Sequence, residues 1–383
     1  MTTPARQLRF SSVADVIQRL NPSYPVFCVF PDILRARAKT FVEGFPGTIL
    51  YATKCNPHPY VLKALAEGGI EHFDTASISE IANVTELMPD AHCYFNHPVK
   101  GRGALEAAAD VYGITDYVVD HVDELDKVIS IAGTDITIEV RIATPKGKAV
   151  YDLSAKFGAP PDEAAALLKE ARKRGCRTAL AFHVGSQCLD PDAFRVAMEL
   201  AVRVADKAGV PLEYLDVGGG FPAIYKMNVP PLRDYFEVIE KAKADLGIAV
   251  PLLAEPGRAL VADGCSVLTQ VHLRKGDDLY INDGIYGCLS EIRDGDLDPP
   301  VRAVSRSGEA VSGDSRPFRI FGPTCDSLDV LKLPFHLPED IGEGDWIEFG
   351  LMGAYSIGMQ TGFNGFVTDT IVRIDGMHED FVF

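Results

Sequence analysis

The feature that most constrains this chain is a regular alternation of short apolar runs, rich in β-branched and aromatic residues, with amphipathic stretches between residues 48 and 255. The stretches have helical periodicity, and one of them, FRVAMELAVRVADKAG, ends at the glycine expected after a helix. Strand followed by helix, repeated eight times, predicts a parallel (β/α)₈ barrel. The runs are Thr48–Thr53, Ile70–Phe73, His92–Phe95, Tyr117–Val119, Ile136–Ile142, Thr178–Val184, Leu212–Val217 and Pro251–Ala254.

The pattern changes after about residue 265. The segments SVLTQVHL, DLYIND, FRIFG, DWIEFG and FVTDTIVRI are strand-like and have almost no helical periodicity. We therefore predict an α/β fold in which residues 29–264 form the barrel. Residues 1–28 and 265–383 are predicted to form a β-sandwich or β-barrel domain, with PVFCVF near residue 27 as one of its strands.

Polar and glycine residues follow the apolar runs, at the end of a barrel where active sites lie. Lysine, acids, arginine and a glycine triplet on one rim indicate a site for a cofactor that carries a phosphate. The residues are Lys54, Asp74, Asn96, Asp120, Arg141, His183, Gly218, Gly219, Gly220, Glu255, Gly257 and Arg258.

Composition excludes several other classes of protein. The formal charge of −17 opposes binding to nucleic acid, and no apolar run approaches the roughly 20 residues that span a bilayer. The N-terminal segment does not resemble a signal peptide, and the eight cysteines include no CxxC pair. We predict a cytoplasmic protein without a zinc site, a structural disulfide or any other metal centre.

Six motifs in order carry a family resemblance: YATKCNPHP, FHVGSQ, LDVGGGFP, AEPGR, GPTCDSLD and MGAYS. The chain resembles the ornithine, diaminopimelate and arginine decarboxylases, which are pyridoxal 5′-phosphate (PLP) enzymes of the alanine-racemase-like class. The motifs extend over nearly the whole chain, and NDGIYG, GPTCDSLD and TGFNGF are most similar to the ornithine decarboxylase branch.

The resemblance implies that Lys54 carries PLP covalently. It places Glu255 against the pyridine nitrogen, where a carboxylate keeps the ring protonated. Racemases of this fold have an arginine there, so Glu255 favours decarboxylation. His183 is expected to stack on the ring, with Asp74 and Arg141 near Lys54 and the ring oxygen. The phosphate is expected to contact Ser186, Gly218, Gly219, Gly220, Gly257, Arg258 and Tyr355.

The resemblance also implies a homodimer with shared active sites. In the family, the loop corresponding to Cys325 and Asp326 enters the neighbouring subunit's site, where the cysteine protonates Cα and the aspartate binds the distal amine. Lys156 is expected to pair with Asp329 across that interface. The remaining candidate substrate contacts are Tyr286, Asp294, Asp296 and Phe363. Both aspartates are included because the second substrate-binding aspartate of the family aligns with Gly295, which lies between them.

Asp326 favours a basic substrate, because diaminopimelate enzymes typically have glutamate after this cysteine. We therefore predict decarboxylation of L-ornithine to putrescine, and possibly of L-lysine to cadaverine, in polyamine synthesis. A diaminopimelate or carboxynorspermidine decarboxylase and a pathway-specific enzyme remain alternatives. A further alternative is a non-catalytic regulator, although such relatives lose the cofactor residues that are retained here.

Overall fold

The computed structural model describes residues 9–144, 149–151, 156–225, 229–294 and 297–375. The chain divides into two compact units. One comprises residues 38–223 and 229–259, and the other comprises residues 1–37, 224–228 and 260–383. The boundary therefore falls inside the helix Pro31–Gly44, whereas the sequence placed it at residue 29, before that helix.

The larger unit is a closed barrel of eight parallel strands, which confirms the predicted (β/α)₈ fold. Seven helices alternate with the strands among the residues described in this unit: Pro59–Glu67, Ile78–Leu87, Arg102–Asp110, Val122–Ala132, Pro161–Lys173, Asp192–Ala208 and Leu232–Asp245. The strands are Thr48–Ala52, His72–Thr75, His92–Phe95, Asp116–Val119, Thr137–Arg141, Arg177–Ala181, Leu215–Asp216 and Leu252–Ala254. A short antiparallel pair, Ala149–Tyr151 with Ser186–Cys188, adds to this unit.

Two strand predictions were displaced along the sequence. Ile70 was assigned to the second strand, but its amide donates to the Leu65 carbonyl and so still belongs to the end of the preceding helix. The strand begins at His72, and Asp74 lies within it rather than after it. The seventh strand is shorter than predicted, Leu215–Asp216. The segment FRVAMELAVRVADKAG was correctly predicted to be a helix that ends at glycine. The helix is Asp192–Ala208, and Gly209 caps it with a left-handed backbone, φ +60°.

The smaller unit contains a nine-stranded mixed sheet. PVFCVF forms the strand Val26–Val29, which pairs with Cys265–Lys275 and Thr370–Ile374, as the sequence predicted. The helix Val13–Leu20, capped by the Ser12 hydroxyl, packs on the sheet and was not predicted. The other strands are Arg9–Phe10, Asp278–Ile281, Val301–Val304, Ser315–Phe321, Phe335–Pro338 and Trp346–Phe349. Its short helical segments are Ala262–Gly264, Ser290–Asp294 and Phe363–Gly365. The helix Arg258–Val261 crosses the boundary between the units, and Thr53–Cys55 lies in the barrel unit.

Among the described residues, no helix is long and apolar enough to cross a membrane.

Candidate active site

Lys54 lies in a single 3₁₀ turn directly after the first barrel strand. Its amine is 2.5 Å from Asp74 Oδ2, and 45% of the lysine side chain is exposed, against 1% for Asp74. A buried carboxylate on the second strand therefore holds an accessible amine at the carboxyl end of the barrel, where a ligand can react with it.

Glu255 follows the eighth strand, and Asn96 follows the third. The Asn96 side-chain amide donates to Glu255 Oε1 over 2.6 Å. Burial, followed by the negative charge of Asp74, raises the pKa of Glu255 to about 7, while Lys54, the Asn96 amide and Arg141 oppose that shift. Glu255 is thus a carboxyl group that changes charge near neutral pH.

The glycine triplet after the seventh strand leaves no room for side chains. A Cβ atom on Gly218, whose φ is +68°, would lie 2.1 Å from the Phe182 carbonyl oxygen. A Cβ on Gly219 would lie 2.6 Å from the Glu255 carbonyl oxygen and 3.0 Å from His183 Nε2. These contacts require glycine, and a backbone without side chains can approach an anion closely.

His183 and Arg141 approach the same rim. The Gly185 amide donates to His183 Nδ1 over 2.9 Å, which fixes the ring. Burial lowers the pKa of His183 well below its ordinary value, and the nearby charges of Arg141 and Lys54 add to this effect. A neutral ring held by the backbone is suited to stacking rather than to carrying charge.

The remaining predicted phosphate residues lie on three different segments. Ser186 begins the short strand Ser186–Cys188, and Arg258 is buried at the start of the helix Arg258–Val261. Gly257 packs against Cys55 and Ala52, so that a Cβ there would lie 3.1 Å from Cys55 Cβ. Tyr355 belongs to the smaller unit and has a left-handed backbone, φ +51°.

The predicted substrate loop lies in the smaller unit. The Tyr286 hydroxyl donates to Asp326 Oδ2, and the Tyr286 and Phe363 ring centroids are 5.0 Å apart. The Cys325 amide donates to Asn364 Oδ1 over 3.1 Å, so two loops are joined at this position. The Tyr286 hydroxyl and then the Leu328 amide hold the pKa of Asp326 below its ordinary value, which keeps this carboxylate charged.

Three other predicted residues are placed as follows. Asp294 ends the helix Ser290–Asp294, while Asp296 lies outside the described residues. Lys156 is exposed, with its amine 4.9 Å from the centre of the Phe157 ring. The Asp329 carboxylate is buried and accepts hydrogen bonds from the Ile285 and Thr324 amides. Its pairing with Lys156 across a dimer stays a prediction.

Sequence reasoning missed polar residues inside the barrel. Glu139 and Asp216 are 0% exposed, and Tyr214 lies 2.9 Å from Glu139 through its hydroxyl. Each was read as part of an apolar strand. The one available signal was an acid flanked directly by Ile138 and Val140 in the run ITIEVRI.

Residues 32–262 match the family model described as the pyridoxal-binding domain of pyridoxal-dependent decarboxylases, which covers more than half of the chain. The chain belongs to the pyridoxal-dependent decarboxylases. A lysine/ornithine decarboxylase of Selenomonas ruminantium is 37% identical over 340 residues, which span 85% of this chain and 84% of that protein.

Solved structures of decarboxylases show the same fold. A variant of SrLDC in complex with PLP is 32% identical, with a TM-score of 0.85 and 96% of each chain covered. A lysine/ornithine decarboxylase of Vibrio vulnificus complexed with putrescine is 28% identical, with a TM-score of 0.81. It covers 96% of this chain and 99% of its own. This decarboxylase therefore uses PLP, and its fold is the alanine-racemase-like barrel with a β domain.

The geometry of the barrel rim fits PLP. The accessible amine of Lys54 can form the covalent bond, and the glycine triplet provides a backbone without side chains, which a phosphate can approach closely. Glu255, held by Asn96, would offer a carboxylate to the ring nitrogen. The buried Arg258 would offer a cation to the phosphate.

Proposed function

We propose that this decarboxylase converts L-ornithine to putrescine and also accepts L-lysine, giving cadaverine. The observation that carries the proposal is the charged carboxylate of Asp326, held by the Tyr286 hydroxyl beside Cys325. A carboxylate kept charged binds a distal ammonium group, and an aspartate at this position, where diaminopimelate enzymes typically have glutamate, favours a basic substrate. The Selenomonas and Vibrio relatives, whose names include both lysine and ornithine, support this choice.

PLP, when bound, withdraws electrons from the bond between Cα and the substrate carboxylate. Lys54 would hold the cofactor and release it to the substrate amine. Asp74 would orient the Lys54 amine before and after this release. Glu255 would stabilise a proton on the ring nitrogen, and His183 would cover one face of the ring. The Cys325 thiol would return a proton to Cα after CO₂ leaves.

A homodimer with shared sites would explain why the proposed catalytic residues are divided between the two structural units. Lys54 belongs to the barrel unit, whereas Cys325 and Asp326 belong to the smaller unit. The loop of Cys325 and the loop of Asn364, which are joined by a hydrogen bond, have large exposed apolar side chains on them or next to them in sequence. These residues are Leu328, Met359, Phe363, Phe366 and Val367. Exposed apolar residues concentrated in this way are typical of a protein interface. We propose that this surface meets the barrel rim of a second copy.

Polyamine synthesis in the cytoplasm is the setting that we propose for this activity. The eight cysteines, all of them described in the structure, are outside any disulfide, and seven of them are buried. Such a set of thiols is typical of a reducing compartment.

The substrate is tested by measuring CO₂ release from ornithine, lysine, arginine and diaminopimelate with the PLP-loaded protein, using Lys54→Ala as the background control. We expect the highest kcat/KM with ornithine and lower but measurable activity with lysine. One methylene group changes kcat/KM by about 10- to 200-fold. Faster turnover of diaminopimelate than of both diamino acids would overturn the substrate. No turnover of any of the four would favour a specialised amino acid.

A further inference from the structure

The interior of this barrel contains carboxyl groups where such barrels usually have branched apolar side chains. Glu139 lies on the fifth strand and Asp216 on the seventh, and neither has any exposed surface. Asp216 is joined to the active site through the backbone, because the Gly218 amide donates to Asp216 Oδ1 over 2.7 Å and the Gly218 carbonyl accepts from the Glu255 amide over 2.8 Å.

The carboxyl groups in this barrel differ in the side chains that contact them. Asp74 contacts the Lys54 amine, and Glu255 accepts a hydrogen bond from Asn96. Asp74 Oδ1, Glu139 Oε1 and Asp216 Oδ2 are all buried without a hydrogen-bond partner among the described residues. The second oxygen of Asp74 contacts a cation, whereas those of Glu139 and Asp216 contact the neutral Tyr214 hydroxyl and the Gly218 amide. A buried carboxylate that is not compensated by a cation is so costly that the group takes up a proton instead.

The tyrosine next to Glu139 points to the same protonation state. Tyr214 Oη lies 2.9 Å from Glu139 Oε2 and 3.2 Å from Asp116 Oδ1. A single hydroxyl proton cannot serve two carboxylates fully. If Glu139 carries its own proton, it donates to Tyr214 Oη while Tyr214 donates to Asp116, and both contacts become hydrogen bonds.

We propose that Glu139 and Asp216 are held as neutral, protonated acids next to Glu255, so that Glu255 is the carboxyl group free to carry charge toward the cofactor. The titratable groups that act on Glu139 include Glu255, Tyr214, Tyr94, Asp116 and Asp74, and those that act on Asp216 include Glu255, Glu139, Tyr94 and Asp74. These neighbours are carboxylic acids and two tyrosines.

Electrostatics agree with this geometry. Burial, followed by the charge of Glu255, raises the pKa of Glu139 well above its ordinary value, and the same two causes raise the pKa of Asp216. Neutral acids at these two positions spare Glu255 the repulsion of two further buried charges. Glu139 and Asp216 are therefore positioning residues, which set the charge of Glu255 without touching the reacting atoms.

Infrared spectroscopy of the full-length, cofactor-free protein tests the protonation directly, because a protonated carboxyl group has a carbonyl stretch separate from the carboxylate bands. The consequence for Glu255 rests on its proposed role at the cofactor, but this measurement does not. It is made at about pH 8.5, well above the pKa of about 7 of Glu255. We expect a protonated-carboxyl band in the wild type, and loss of part of it in both Glu139→Gln and Asp216→Asn.

Glu124→Gln is the matched control. Glu124 is also buried, but two lysines lie against its carboxylate, Lys100 at 3.1 Å and Lys127 at 2.5 Å. It is thus expected to be ionised, and its substitution should leave the protonated-carboxyl band unchanged. If either Glu139→Gln or Asp216→Asn also leaves the band unchanged, the proposal is wrong. Should a variant fail to fold, the wild type decides, since absence of the band at this pH contradicts the proposal.

Discussion

The Asn96 side chain donates to Glu255 Oε1 over 2.6 Å, although the two residues are 159 positions apart in the sequence. The contact joins the end of the third barrel strand to the end of the eighth. It fixes one oxygen of the carboxylate that we place at the ring nitrogen of PLP. The chemistry assigned to Glu255 therefore depends on a neighbour that only the closed barrel provides.

Replacing Glu255 by glutamine should preserve the fold and lower kcat by more than about tenfold, or 1.4 kcal/mol of activation free energy. An amide has no negative charge with which to keep the ring nitrogen protonated. Steady-state kinetics with saturating ornithine and circular dichroism measure the two effects. Asn96→Leu is the matched control, because it keeps the carboxylate and should lower kcat less than Glu255→Gln. Turnover of Glu255→Gln within tenfold of wild type would exclude the proposed role.

The stability of the cofactor-free protein should depend on pH through Glu255. Its pKa is raised from 4.5 to about 7, so between these values the folded protein keeps a proton that the unfolded chain has released. The contribution of Glu255 to the free energy of unfolding is thus fully present below pH 4.5 and is lost as pH rises toward 7. The slope is at most about 1.4 kcal/mol per pH unit.

Urea unfolding of wild type and Glu255→Gln across this pH range measures the effect. The glutamine variant cannot titrate at this position, so its free energy of unfolding should fall less steeply with rising pH. Parallel curves for the two proteins would show that the pKa of Glu255 is not raised in the folded state.

Local signals explain which parts of the molecule could be predicted from sequence. Lys54 and Glu255 could be placed on the rim because each directly follows an apolar run, and the end of a parallel strand is a local feature. The contact between Asn96 and Glu255 could not, since it depends on closure of the barrel. Glu139 and Asp216 were missed because strand periodicity reports burial and does not distinguish a buried acid from its apolar neighbours.

Asp326 should determine affinity for the distal amine of the substrate. Asp326→Asn removes the charge that pairs with the ammonium group, and we expect KM for ornithine and lysine to rise by about tenfold or more, with a smaller change in kcat. Tyr286→Phe should raise KM in the same direction but less, because it removes only the hydroxyl that holds the carboxylate. Glu309→Gln, an exposed acid of the same unit, is the control. Unchanged KM in Asp326→Asn would remove this residue from the substrate site.

Mixed dimers should show whether the active sites are shared. Lys54→Ala and Cys325→Ala are each expected to be inactive. In a mixed dimer with shared sites, one site has both substitutions and the other has neither. Random reassortment makes about half of the dimers mixed, so activity near a quarter of wild type is expected. A mixture that stays inactive, although mass spectrometry shows that subunits exchange, would place Cys325 in the site of its own subunit.

The most direct test of the account is to find which lysine carries the cofactor. The holoenzyme is reduced with borohydride, digested, and mapped by mass spectrometry for the peptide that retains the pyridoxyl group. We expect the label on Lys54 in the wild type and no labelled peptide in Lys54→Ala, because Lys54 is the amine held by Asp74 at the barrel rim. A label on any other lysine of the wild-type protein would contradict the proposed site.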